Sequence, residues 1–256
     1  MNIRFLGAHK HESKTTRCVC ILIDNLFTID AGGVTSSLSI PAQRKLKAIL
    51  LTHQHYDHIR DVPMIAMNLY SQGTSINVYC SPIVRDIIET HLLNGRLYPK
   101  FQELPAAKPI IKFISIEPHK HKKVEGYDIL AIPVNHGDTT FGYQVTDKKG
   151  KVMFYTADTG PGLTNCWENV SPHLLVTEVT APNRYEGLAT SLGHLTPSLL
   201  NRELIRFQEI KGYLPRTIII HMDPTLERDI ETEVAAVAKA LGASITLAYE
   251  GMQLHI

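Results

Sequence analysis

Short aliphatic and β-branched runs bounded by Gly, Pro, Asn and Asp recur along the chain at 2–6, 18–23, 26–29, 47–52, 76–80, 111–116, 127–134, 140–146, 151–156, 173–177, 216–221 and 244–248. That pattern predicts strands. Apolar residues at three- and four-residue spacing predict helices over 61–72, 82–93, 196–211 and 226–241. Thr196 precedes Pro197 as a cap precedes a first-turn proline, and Asp223-Pro224 is expected to open 226–241 in the same way. Strands followed by helices, then strands and helices again, predict sheets covered by helices.

The segment Phe27-Thr28-Ile29-Asp30-Ala31-Gly32 is echoed by Tyr155-Thr156-Ala157-Asp158-Thr159-Gly160. Each is a strand with an aspartate at its end and a glycine turn after it. No linker interrupts the even spread of Gly and Pro, so the expectation is one domain over 1–256, built of two related halves of roughly 1–120 and 121–256.

Composition narrows the classes. Of 256 residues 44% are hydrophobic and 20% charged, which describes an ordinary globular chain. The net charge of +1 argues against an extended nucleic-acid footprint, which usually needs a basic excess. The basic clusters 119–123 and 147–151 read as solvated hairpin tips. No apolar run approaches a membrane span, and Met1–Gly7 is too short for a signal segment, so a cytoplasmic location without membrane contact is expected. Four cysteines are too few for a disulfide framework, and reduced thiols are expected.

Histidine changes the picture. The chain has 13 of them, three within His53-Gln54-His55-Tyr56-Asp57-His58. His53 and His55 are read as continuing the 47–52 strand at spacing two, so that both imidazoles leave one face and share a cation. Asp57 and His58, at the turn toward the next helix, suit a neighbouring cation.

On this hexapeptide the sequence resembles the metallo-β-lactamase superfamily, whose signature His-x-His-x-Asp-His it meets in full. Further motifs follow in the family's order: Asp30 after an early strand, His136 in Pro133-Val134-Asn135-His136-Gly137, Asp158 in Thr156-Ala157-Asp158-Thr159-Gly160, and His221 in Ile218-Ile219-Ile220-His221-Met222. The resemblance implies an α/β four-layer αββα sandwich. It also implies two divalent metal ions, with His53, His55 and His136 on one, Asp57, His58 and His221 on the other, and Asp158 bridging. Asp30 would stand behind the ligands and fix a histidine tautomer. Zinc is the expected metal, and Mn2+ or Fe2+ take similar ligands. Two such ions lower the pKa of a shared water toward neutrality and clamp an oxyanion, which means hydrolysis. The formal charge left at the site, about one positive, complements a phosphodiester better than a neutral lactone or thioester.

Gly193-His194-Leu195-Thr196-Pro197 looks like the phosphodiesterase branch of the superfamily, which holds ribonuclease Z and the class II cyclic-nucleotide phosphodiesterases. There such a histidine is an acid toward the leaving oxygen or a phosphate ligand. Glu178 is its candidate carboxylate partner, and Asp57, His194 and Glu178 are the candidate catalytic residues. Two departures stand out: Asp61 occupies a place where many relatives carry glycine, and the Gly/Pro-rich arm that grips transfer RNA in ribonuclease Z has no counterpart. The expected substrate is therefore a small phosphodiester, a cyclic nucleotide first. The alternatives are a carbonyl hydrolase (lactonase or thioesterase), a tRNA 3′-processing endonuclease and, outside enzymes, a non-catalytic metal- or nucleotide-binding module. A homodimer is compatible with the reading. His9, His11, Cys18 and Cys20 form a further Cys/His set, read first as a packed strand with free thiols.

Overall fold

The run Ala48–Leu50 is buried on both faces, as a strand inside a parallel sheet must be. It belongs to a computed structural model that describes residues 1–137 and 139–256. The chain divides into two units, one made of Met1–Gly7, Glu12–Glu117 and Glu250–His255, the other of Ala8–His11, Pro118–Tyr249 and Ile256.

The first unit carries β1 (Asn2–Gly7), β2 (Cys20–Ile23), β3 (Phe27–Ile29), β4 (Ala48–Leu50), β5 (Ile76–Cys80) and β6 (Ile111–Ser115). The second carries β7 (His121–Val124), β8 (Tyr127–Pro133), β9 (Phe141–Thr146), β10 (Val152–Tyr155), β11 (Leu174–Glu178), β12 (Arg216–Ile220) and β13 (Ile245–Leu247), and β14 (Gln253–His255) returns to the first. Among the described residues each unit holds one seven-stranded sheet, in the orders β14-β1-β2-β3-β4-β5-β6 and β7-β8-β9-β10-β11-β12-β13.

Both orders share one pattern. The first four strands pair antiparallel and the last four parallel. β3 and β10 hold the same fourth place, so the echo between 27–32 and 155–160 marks equivalent positions in two sheets of like topology.

Each unit has its own apolar cluster. In the first, the helix Val62–Tyr70 buries Ile65, Ala66 and Leu69 with Val78 and Phe101. In the second, Trp167 meets Phe207 edge-on at 5.4 Å, in a cluster with Leu204 and Val234 from the helices Pro197–Lys211 and Glu227–Leu241. The first of these helices opens as expected, with Thr196 Oγ1 accepting from Leu199 N, and ends at left-handed Gly212.

Several expectations are corrected. The strand predicted over 47–52 stops at Leu50, so His53 and His55 lie on a loop rather than on a strand face. Asp223 does not cap the helix Glu227–Leu241; its Oδ1 accepts from Thr225 N at 2.9 Å and Thr225 Oγ1 at 2.6 Å in a local turn. The basic cluster 119–123 contributes to the edge strand β7, where exposed Lys122 and Lys123 keep the edge soluble. The cluster 147–151 is a hairpin tip, closed by Asp147 Oδ1 on Lys149 N and Lys151 N. No helix among the described residues is long and apolar enough to cross a membrane.

Candidate metal centre

The chemistry-bearing residues of both units follow the C-terminal ends of strands, many of them parallel ones, where an α/β sheet leaves its crevice. In the first unit Asp30 comes after β3, and His53, His55, Asp57 and His58 follow β4. In the second, His136 follows β8, Asp158 follows β10, Glu178 ends β11 and His221 follows β12.

Asp30 is fully buried, at a positive φ of 58°. Its Oδ1 accepts from Thr52 N at 2.9 Å and lies 3.0 Å from Thr52 Oγ1, and its Oδ2 lies 2.8 Å from His58 Nδ1. Thr52 Oγ1 in turn stands 2.9 Å from His53 Nδ1. A carboxylate only accepts, so the Thr52 hydroxyl donates to Asp30 and takes the His53 Nδ1 proton with its lone pair. One aspartate thereby fixes two histidines, His58 directly and His53 through Thr52.

The ring centroid of His53 lies 4.6 Å from that of His55 and 4.2 Å from that of His58, and Asp57 Oδ2 is 3.5 Å from His58 Nε2. His53 and His58 are buried, Asp57 is half-buried and His55 is exposed. Gly32 makes this loop possible. A Cβ there would stand 2.1 Å from Asp57 O, so only glycine lets the Asp57 backbone approach. Asp61, the departure from the family's glycine, accepts from Thr35 N at 2.7 Å and ties the 34–37 turn to the helix Val62–Tyr70.

In the second unit Glu178 is fully buried and plays the part that Asp30 plays in the first. Its Oε1 lies 2.7 Å from His194 Nδ1 and accepts from Thr159 N at 2.8 Å, and its Oε2 accepts from Thr180 Oγ1 at 2.7 Å. Thr180 Oγ1 stands 2.9 Å from His221 Nδ1. His136 Nδ1 donates to Gly193 O at 2.9 Å. A Cβ on Gly193, whose φ is +72°, would come within 3.1 Å of that Nδ1.

Asp158 Oδ2 is 3.2 Å from His221 Nε2 and 4.0 Å from His136 Nε2. Asp158, His194 and His221 each place a ligand atom within 4.8 Å of the others. The His194 ring stacks on His221 at 5.4 Å. Burial disfavours charge on His194, yet the Glu178 carboxylate outweighs it by charge and hydrogen bond, Asp158 adds to it, and the imidazolium pKa is pushed up to about 9.

These donors fit divalent cations. His53, His58, His136 and His221 all engage Nδ1 with a hydroxyl, a carboxylate or a carbonyl, which leaves Nε2 as the ligand nitrogen. Where the Nε2 neighbours are seen they are the carboxylates of Asp57 and Asp158. Imidazole and carboxylate together suit zinc, manganese or iron.

Sequence reasoning named the ligand types and missed Thr52 and Thr180, the hydroxyls that connect them. It also missed Glu203, whose buried carboxylate accepts from Gly162 N, Leu163 N and Trp167 Nε1 and so braces the loop after Asp158. The further Cys/His set gains nothing: His9 Nε2 pairs with Glu227 at 3.3 Å, and burial pushes the Cys18 thiol up to about 11 and Cys20 well above its usual range. Without a metal those thiols stay protonated, as free buried cysteines of a packed strand do.

Residues 20–247 match the family profile described as "Beta-lactamase superfamily domain". Ribonuclease Z of Staphylococcus carnosus is 26% identical over 161 residues, 57% of this chain and 49% of the relative. The chain thus spans about half the length of that curated relative. Among solved structures, unliganded yeast PDE1 superposes with a TM-score of 0.85 at 16% identity, covering 100% of this chain and 99% of that one. The metallo-beta-lactamase fold protein YhfI from Bacillus subtilis gives 0.74 at 17% identity, covering 99% and 98%.

Proposed function

The chain belongs to the beta-lactamase superfamily and has its αββα fold, and on that premise we propose that it is a metal-dependent hydrolase cleaving a small phosphodiester, a cyclic nucleotide first. The candidate ligands are His53, His55, Asp57 and His58 in the first unit and His136, Asp158 and His221 in the second. Two divalent cations bound to them would supply an acidified water and positive charge for the phosphate oxygens.

The observation that carries the reading is the Glu178–His194 pair beside Asp158 and His221. A histidine whose Nδ1 is held by a buried carboxylate can carry a proton on Nε2. It can hand that proton to an alkoxide as the P–O bond breaks, and Glu178 then stabilises the ring in place. Ribose alkoxides are poor leaving groups and need this help. Thr52 and Thr180 hold Nδ1 of His53 and His221, so that these rings turn Nε2 toward a cation.

A second reading, tRNA 3′ processing, is supported by the name of the Staphylococcus relative, and the near-neutral net charge weighs against it. One panel separates the readings: cyclic nucleotides, bis-p-nitrophenyl phosphate, a lactone, a thioester and a precursor tRNA, each with defined Zn2+, Mn2+ or Fe2+. Turnover of cyclic nucleotides with two metal ions per chain is the expected result. Cleavage confined to precursor tRNA or to carbonyl esters overturns the reading.

A further inference from the structure

In the second unit a cavity of about 200 Å3 opens beside His194 and Thr180. Its walls are Ala181, Tyr185, Leu188, Leu192 and Leu226. Leu188 is 59% exposed, Leu192 58% and Tyr185 39%, so three large apolar side chains stay wet around one small concavity. Such a patch marks a binding surface more often than a scattered leucine does.

The wall is held in shape. Arg184 sits over the Tyr185 ring at 5.0 Å and is pinned by Asp229 at 2.7 Å, while Leu188 rides on the helix Glu186–Ser191. The polar groups at the rim are occupied with one another. Lys10 Nζ lies 3.2 Å from Asp223 Oδ2, and Asp223 Oδ1 takes the Thr225 backbone and hydroxyl. The cavity therefore offers apolar faces and little to read the edge of a ring. Its volume is below the roughly 300–1,000 Å3 of pockets that enclose a drug-sized ligand, which suits one ring system and not a run of nucleotides.

We propose that this cavity takes the nucleobase of the phosphodiester substrate, holding it by apolar and stacking contact with Tyr185, Leu188 and Leu192 while the scissile phosphate lies at His194. The assignment rests on the function proposed above and adds to it a specificity: the enzyme discriminates base-bearing from base-free substrates and discriminates weakly among bases, since stacking is indifferent to edge chemistry.

The test pairs 3′,5′-cyclic AMP with the 3′,5′-cyclic phosphate of methyl riboside, which lacks a base, and follows adenosine binding by NMR chemical-shift titration. The wild type should favour cyclic AMP by about tenfold in kcat/KM. Leu188→Asp and Leu192→Ala, both at exposed positions, should erase that preference through KM and weaken adenosine binding, with the base-free substrate unchanged. Equal losses on both substrates, or adenosine binding undiminished in both variants, overturn the assignment. If no phosphodiester is turned over yet adenosine binds and Leu188→Asp abolishes it, the pocket stands and the proposed reaction falls. If cyclic AMP and the base-free substrate are cleaved equally well and adenosine does not bind, the reaction stands and the pocket falls.

Discussion

Thr180 Oγ1 stands 2.9 Å from His221 Nδ1 while donating to Glu178 Oε2 at 2.7 Å. A hydroxyl has one proton, and the carboxylate takes it, so the imidazole must bring its own proton to Nδ1 and present the Nε2 lone pair. Thr52 does the same between Asp30 and His53 in the other sheet. Each sheet thus runs one carboxylate to two histidines, one by direct contact and one through a threonine.

Thr180→Val keeps the side-chain shape and removes the relay. Metal affinity should fall by about 10–100-fold, the usual effect of losing a ligand's outer partner. Thr180→Ser should retain wild-type affinity. A competition titration against a chromogenic chelator measures both, and equal affinities for Val and wild type would remove the relay from the account.

Asp30→Ala strips the acceptor from Thr52 N, Thr52 Oγ1 and His58 Nδ1 in a fully buried place. Leaving buried donors without their acceptor costs about 1–3 kcal/mol. Urea unfolding of the metal-free protein should show a loss of that order, with weaker metal binding besides. A loss below about 1 kcal/mol would mean that water replaces the carboxylate.

The pH behaviour of His194 follows from Glu178. With the pKa pushed up to about 9 from an ordinary 6.5, the pair's contribution to stability is fully present below about pH 6.5 and is lost as pH rises through about 9. In the metal-free protein an NMR titration should place the His194 ring near that upper value. Glu178→Gln should bring it back toward the ordinary value, since burial is then opposed only by the smaller pull of Asp158. A ring that titrates the same in both proteins would detach His194 from Glu178.

The candidate ligands stood out in the sequence because six of the seven fall into dense or repeated patterns: four in one hexapeptide, and Asp158 and His221 at the ends of aliphatic strands. Strands such as β4 and β11 were legible for the same reason, being buried on both faces. Thr52 and Thr180 carry no such mark, since threonine at a strand end is ordinary sequence and its partners are remote, 22 residues from Asp30 to Thr52 and 41 from Thr180 to His221. β7 is half lysine and β14 only three residues long, so neither offers an alternating apolar face to read. His53 and His55 were placed on a strand because periodicity cannot see that the ladder stops at Leu50, where the chain leaves β4 for the loop that holds them.

His194→Ala should keep both metals and lose rate, and the size of the loss should depend on the leaving group. A general acid contributes about 10²–10⁴-fold when the departing oxygen needs a proton. A p-nitrophenolate leaves without one, whereas a ribose alkoxide does not. Cyclic AMP turnover should therefore fall far more than turnover of bis-p-nitrophenyl phosphate, with metal content unchanged by elemental analysis. If His194 instead binds the phosphate, that contact is common to both transition states and the two rates fall together. If neither falls, the 2.7 Å contact with Glu178 only anchors the loop ahead of the Thr196 cap. The proton must then reach the leaving oxygen by another route, and the phosphodiesterase reading loses the residue that distinguishes it from the carbonyl hydrolases of the same fold.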